Sequence, residues 1–310
     1  MLKDSLFYAK ILLFGEYGII QDSMGLSIPY NFYRGRFSTD QSGVGTHSNN
    51  ELQKYCDHLS LLKDNGELLA DIDVAKFQQD IEDGLTFDST IPQGYGVGSS
   101  GALVAAIYHR YGIVSIDGEN TSKEDIVRLK TIFGQMESYF HGKSSGLDPL
   151  ICYLNLPVLI KSKTEVDAVG LPSETVDGKG AIFLINSGTP GETQPMVQIF
   201  LEKMKETGFR NMLKQEFKKY NDACIKAFLK KDLNPLFSNL KKLSTLLLEN
   251  FSPMIPGSFH ELWKQGIDSG DFYLKLCGSG GGGYVLGFTR DFDKTKEVLK
   301  NYDLEVVYSF

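Results

Sequence analysis

The apolar residues of this chain fall into short, strand-like runs at both ends and into helical stripes between them. Residues 6–14 read as a buried strand that Gly15-Glu16-Tyr17-Gly18 breaks, with Ile19 and Ile20 as a second apolar piece. Residues 25–29 and 34–38 predict two further short strands of a β-rich N-terminal layer. The Ser, Gly, Thr, His and Asn residues at 40–50 predict a surface loop. Helical spacing follows at 51–62 and 74–82, on either side of a short strand at 68–72, and residues 87–91 lead into a glycine-rich segment. Ala102-Leu-Val-Ala-Ala-Ile-Tyr108 predicts a helix, and Thr121-Ser-Lys-Glu124 matches a capping box for another over 125–141. The second half has a strand at 181–186, then Lys-studded helices between 196 and 250 with solvated charges and with Phe217, Ile225, Phe228 and Leu229 facing a core. Strand-like runs at 273–277 and 284–288 and a closing helix and strand over 293–310 complete the pattern.

Composition changes this picture little but excludes much. A chain of 310 residues predicts one large or two medium domains. At 42% hydrophobic and 23% charged residues it reads as an ordinary globular protein. A net charge of −7 gives no basic footprint, so nucleic acid is disfavoured as a partner. Cys56, Cys152, Cys224 and Cys277 form no C-x-x-C pair and predict reduced, buried thiols. Lys3, Asp4 and Lys10 interrupt the N-terminal apolar residues, which argues against a signal peptide, and no apolar run approaches the ~20 residues of a membrane span. The expectation is a cytoplasmic protein that is not held in a membrane.

Three stretches break the pattern in ways that suggest chemistry. Lys10 lies inside an apolar strand, so it either snorkels from an edge or points its ammonium into a polar site, with Glu16 as a candidate partner. Pro92-Gln-Gly-Tyr-Gly-Val-Gly-Ser-Ser-Gly101 runs directly into a helix, where unpaired first-turn N–H groups and the dipole favour an anion. An ordinary turn capped by Ser99 or Ser100 is the alternative. Cys277-Gly-Ser-Gly-Gly-Gly-Gly283 places five glycines between two strands, more than a hairpin needs, and predicts close approach to a ligand or to the first loop. Between these, Glu137 sits near the unfavourable end of its helix, as a surface residue or a cation ligand. His141-Gly-Lys-Ser-Ser-Gly-Leu-Asp148-Pro149 is a small-residue loop ending in an acid, which also reads as a plain Asp-Pro turn.

The first glycine loop lacks the Lys-Ser/Thr pair of a Walker P-loop. Gly96-Val-Gly98-Ser-Ser-Gly101 formally satisfies G-x-G-x-x-G, with Asp117 at about the spacing of a ribose-binding acid, but Pro92 argues against the central strand that a dinucleotide loop should follow. Three stretches taken together, Lys10 to Tyr17, Pro92 to Ala102 and Lys275 to Tyr284, resemble the ordered motifs of the GHMP small-molecule kinases. Within that family, Ala9-Lys-Ile-Leu-Leu-Phe-Gly-Glu16, the segment from Met136 to Asp148 and Lys275-Leu-Cys-Gly-Ser-Gly-Gly-Gly-Gly283 look most like the mevalonate kinase versions.

The resemblance implies an α+β, two-domain fold. Its N-terminal β-rich α/β domain would span residues 1–170 and its C-terminal ferredoxin-like domain 171–310, with ATP held between them. It implies a kinase that uses ATP and Mg²⁺ on the hydroxyl of a small-molecule substrate, mevalonate foremost, with phosphomevalonate, homoserine or a sugar as other acceptors. A nucleotide-binding regulator without turnover is a further alternative, and a homodimer is compatible with the family. Phosphoryl transfer needs positioning, charge neutralisation and a place for the acceptor's proton. Asp148 is then the general base and Lys10 its cationic neighbour. Ser100 and Glu137 match the metal-binding serine and acid, an oxygen set suited to Mg²⁺. Pro92, Gly94, Gly96, Val97, Gly98, Ser99, Ser100 and Gly101 would cradle the phosphates, backed by Gly278, Gly280 and Gly281. Glu16, Tyr17, Gly146 and Thr193 would face the substrate. The chain departs from the mevalonate kinase pattern at Tyr17, where His is usual, and at Gly101, where Ala is typical.

Overall fold

The computed structural model describes residues 5–39, 49–118, 121–162, 165–174 and 178–310. The predicted loop at 40–50 lies outside them up to residue 48, as do Lys3 and Asp4. In chain order the elements are β1 (Phe7–Phe14), β2 (Gly25–Ser38), α1 (Asn49–Asp64), α2 (Val74–Glu82), β3 (Thr86–Ser89), α3 (Ser99–Tyr111), α4 (Lys123–His141), α5 (Leu147–Leu154), β4 (Val158–Ile160) and β5 (Val166–Ala168). There follow β6 (Ala181–Asn186), α6 (Thr193–Lys203), α7 (Thr207–Met212), α8 (Lys218–Leu229), α9 (Leu233–Asn250), α10 (His260–Ser269), β7 (Phe272–Leu276), β8 (Tyr284–Thr289), α11 (Phe292–Val298) and β9 (Leu304–Ser309).

The chain forms two compact units. Among the described residues, one comprises those within Met1–Lys10, Ile28–Gln93 and Val97–Leu156, and the other those within Ile11–Ser27, Gly94–Gly96 and Pro157–Phe310. In the first unit, β3 pairs antiparallel with the end of β2, in the register Gly35 to Ser89. Helix α3 is its centre. Residues 101–108 of this helix are all buried, as an apolar, Ala-rich sequence without a polar stripe dictates, and it packs on α4 and α5. In the second unit, the sheet order is β7-β8-β6-β9, and every pair in it is antiparallel. The fully apolar run Ala181-Ile-Phe-Leu-Ile185 of β6 lies at its middle, and α9 and α10 pack against β7. The whole is a two-domain α+β fold, as the sequence predicts.

Several elements differ from the sequence reading. The two short strands at 25–29 and 34–38 are one strand, carried through by the β-prone residues Tyr30, Phe32 and Tyr33. Residues 68–72 form no strand beyond a single bridge from Ile72 to Gly112. Gln135 satisfies the backbone of Glu67 and Leu69 instead. The capping box is one residue later than predicted, Ser122 with Asp125 in place of Thr121 with Glu124, because the Thr121 hydroxyl bonds back to the carbonyls of Asp117 and Gly118. Ile19 and Ile20 lie in a single tight helical turn, Gly18–Gln21. Phe217, Ile225 and Phe228 are buried, while Leu229 is only half-buried. The dinucleotide reading fails on topology, because β3 before the glycine loop is antiparallel to its neighbour and residues 113–117 after α3 form no strand. All four cysteines are buried. No helix among the described residues is long and apolar enough to cross a membrane.

Candidate functional site

The residues singled out in the sequence fall into two groups, one in each unit. In the first unit, β1 delivers Lys10 and the first turn of α5 delivers Asp148, with Lys10 Nζ 2.9 Å from Asp148 Oδ2. The lysine side chain is 3% exposed and the aspartate 39%, so the ammonium is fixed from within while the carboxylate stays open to a ligand. Lys10 therefore does not snorkel. Asp148 does not close a turn either, because Leu147-Asp-Pro149 is already helical.

Helix α3 begins beside this pair. Gly98 takes the left-handed conformation at the N-cap, and its Cα lies so close to the Lys10 stem that a Cβ would come within 2.9 Å of Lys10 Cγ. Buried Val97 accepts a hydrogen bond from the Lys10 backbone, which ties the loop to β1. Neither Ser99 nor Ser100 serves as the cap. The Ser100 hydroxyl donates to Glu137 Oε1 at 3.2 Å, whereas the buried Ser99 hydroxyl oxygen finds no protein partner among the described residues.

Glu137 is buried, in contrast to the surface alternative. Burial, and then the nearby Asp148 charge, push its carboxyl pKa up, against the opposing effects of Ser144, Lys10 and Ser100. A bound divalent cation would offset both costs. Gly146, the N-cap of α5, packs against the backbone of Lys130 and Gly134 on α4, which leaves no room for a side chain.

In the second unit, Glu16 pairs with Lys275. Its Oε2 lies 2.6 Å from Lys275 Nζ, and both side chains are about as buried as core residues. Tyr17 donates its hydroxyl to the Ser279 carbonyl at 2.7 Å and stacks on Phe200 with ring centroids 4.6 Å apart. Burial, with Glu16 adding to it, pushes its phenol pKa up and keeps the donor protonated.

The two glycine loops meet here backbone to backbone. A Cβ on Gly96 would lie 2.6 Å from the Cys277 carbonyl oxygen, and Gly94 accepts a hydrogen bond from Gly191 N. Half-buried Pro92 opens the first loop. Gly278 lies against Gly96, Gly280 against the Met254 backbone and Gly281 against the Met196 side chain, so these glycines serve packing within the unit. Thr193 starts α6 with its hydroxyl 3.5 Å from that of Ser279. A cavity of about 380 Å³ in this unit is lined by residues of α9 with Tyr273 and Arg290 and contains none of these motif residues.

Sequence reasoning missed Lys275, although a lysine in an apolar strand is the same signal that marked Lys10. It also missed Asp222, which accepts from Met24 N and the Ser23 hydroxyl and so holds the segment after Glu16. A contact across 198 residues leaves no local signal.

Residues 66–155 match the model of the GHMP kinases N terminal domain. No curated protein matches the chain in sequence. Solved structures match it in fold. Streptococcus pneumoniae phosphomevalonate kinase in complex with phosphomevalonate and AMPPNP is 15% identical, over 99% of this chain and 100% of that one, with a TM-score of 0.65. Lactococcus lactis galactokinase complexed with galactose is 12% identical over 99% and 94%, at 0.64. Methanococcus jannaschii mevalonate kinase is 16% identical over 99% and 98%, at 0.61. Residues 66–155 thus match the GHMP kinases N terminal domain, and the chain as a whole shares a two-domain fold with these solved kinases.

Proposed function

We propose that this protein is an ATP- and Mg²⁺-dependent kinase that phosphorylates the hydroxyl of a small metabolite, mevalonate foremost. The observation that carries the reading is the buried Lys10 ammonium held 2.9 Å from the half-open Asp148 carboxylate at the mouth of α3. Asp148 accepts the acceptor's hydroxyl proton, within hydrogen-bond reach of a ligand. Lys10 keeps that carboxylate oriented and presents positive charge where phosphoryl oxygens gain charge. The start of α3 offers the N–H groups of its first turn, and the buried Ser99 hydroxyl that has no protein partner among the described residues, to phosphate oxygens, a donor set that fits the group. The hard oxygens of Ser100 and Glu137 fit Mg²⁺, which would neutralise phosphate charge when bound. Among the described residues no cluster of three or more His, Cys, Asp or Glu groups is suited to a metal, so phosphate oxygens and water would complete such a site.

The acceptor is the less constrained half of the reading. Solved relatives in fold carry galactose and phosphomevalonate, and Tyr17 is occupied by Ser279 and Phe200 where the mevalonate kinases usually have a histidine. Purified protein with ATP and Mg²⁺ should form ADP faster with mevalonate than with phosphomevalonate, homoserine or galactose. Preference for another of these moves the acceptor assignment, and nucleotide binding without ADP formation on any of them leaves a binding protein.

Gly101 gives a sharper expectation. A Cβ there would lie 2.9 Å from both the Asp148 carbonyl carbon and Pro149 N, which are backbone atoms that cannot swing aside. Gly101→Ala should displace the first turn of α5 and lower kcat by about 10–100-fold, the penalty of misplacing a catalytic group by roughly 1 Å. An unchanged kcat would show that Asp148 need not be held there.

A further inference from the structure

We propose that Ser144 is a positioning residue that fixes the orientation of the Glu137 carboxylate and couples it to the turn presenting Asp148. This rests on the reading of Glu137 and Ser100 as the magnesium pair. The Ser144 hydroxyl donates to Glu137 Oε2 at 2.5 Å and accepts from Gly146 N at 3.0 Å. Its own backbone N–H donates to the Ser138 hydroxyl at 3.1 Å, and that hydroxyl donates to the Gly134 carbonyl one turn back on α4. Ser144 is therefore held from α4, grips a carboxylate of α4, and braces the N-cap of the helix that carries Asp148.

The two oxygens of Glu137 are divided between two segments. Oε1 takes the Ser100 hydroxyl from α3, and Oε2 takes Ser144 from the loop before α5. With one donor on each oxygen, rotation about the terminal bond is arrested, so the carboxylate keeps one face for a cation. A buried carboxylate lacking one of these donors would turn toward whichever polar group remained. Outer partners of this kind are worth roughly 10–100-fold in metal affinity. The neighbouring Ser145 is exposed, and among the described residues its hydroxyl meets only Leu147 N, at 3.4 Å, so the effect is specific to Ser144.

The test compares Ser144→Ala with Ser144→Thr, which keeps the hydroxyl. Mn²⁺ binding in the presence of ADP, followed by electron paramagnetic resonance, should weaken about tenfold or more in Ser144→Ala and stay within about threefold in Ser144→Thr. The Mg²⁺ concentration for half-maximal turnover should rise by the same factor. Should Ser144→Ala fail to fold, Ser144→Cys preserves the volume with a weaker donor and should weaken Mn²⁺ binding in the same direction. Mn²⁺ binding and half-activation unchanged in Ser144→Ala, in a protein whose wild type binds metal and nucleotide, overturn this proposal alone. Wild-type protein that binds no Mn²⁺ with nucleotide overturns the magnesium reading and this proposal with it.

Discussion

Asp148→Asn should lower kcat by about 10²–10⁴-fold while changing nucleotide affinity by no more than about threefold. The asparagine is isosteric and can still accept a hydrogen bond from Lys10, so the loop and α5 should keep their places. What it loses is the ability to take a proton. The split between kcat and binding is the diagnostic part, because a merely structural aspartate would degrade both. Single-turnover rates and nucleotide titrations on the same preparation check it. A kcat within about tenfold of wild type would remove Asp148 from the role of general base.

Lys275→Met should lower the unfolding free energy by about 3–5 kcal/mol, measured by urea denaturation. The cause is the partner left behind. Glu16 and Lys275 are both buried and 2.6 Å apart, so removing the ammonium takes a close, charged hydrogen-bond partner from a carboxylate in the core. The double variant Glu16→Leu/Lys275→Met should recover most of the loss, since a buried pair replaced by apolar groups of similar size is often neutral. A loss below about 1 kcal/mol in the single variant would mean that the pair behaves like an exposed one. The same pair links the end of β1 to the strand before the second glycine loop, so the single variant should also disturb that loop.

Much of the fold was legible because it is written in local periodicity. Residues 74–82 and 181–186 form the predicted elements without shift, and the glycine loop opens α3 as the anion argument requires. The failures have physical reasons. At 68–72 a short apolar run has the Gln135 side chain, rather than a neighbouring strand, satisfying the backbone N–H of Leu69. Lys10 was legible as a functional group, and Asp148 beside it only through the family resemblance, because it is the packing of α3 on α5, not nearness in sequence, that brings Asp148 there. Tyr17 was read as facing substrate from its place in the motif. Its positive φ of 58° and its bond to Ser279 could be known only from tertiary structure.

The packing of Gly94–Gly96 against the second glycine loop has a thermodynamic consequence. Free glycine-rich chain is the most expensive kind to order when a ligand arrives. Here Gly96 touches Gly278, Gly283 lies against Tyr95, and Gly283 N donates to the Thr189 carbonyl, so each loop is the mould of the other. The ordering entropy is lost at folding rather than at binding. Calorimetry of nucleotide binding should therefore show an unfavourable entropy smaller than a ten-residue mobile loop would impose, and widening the mould, for example by Gly96→Ala, should appear as a more entropic penalty and a slower association.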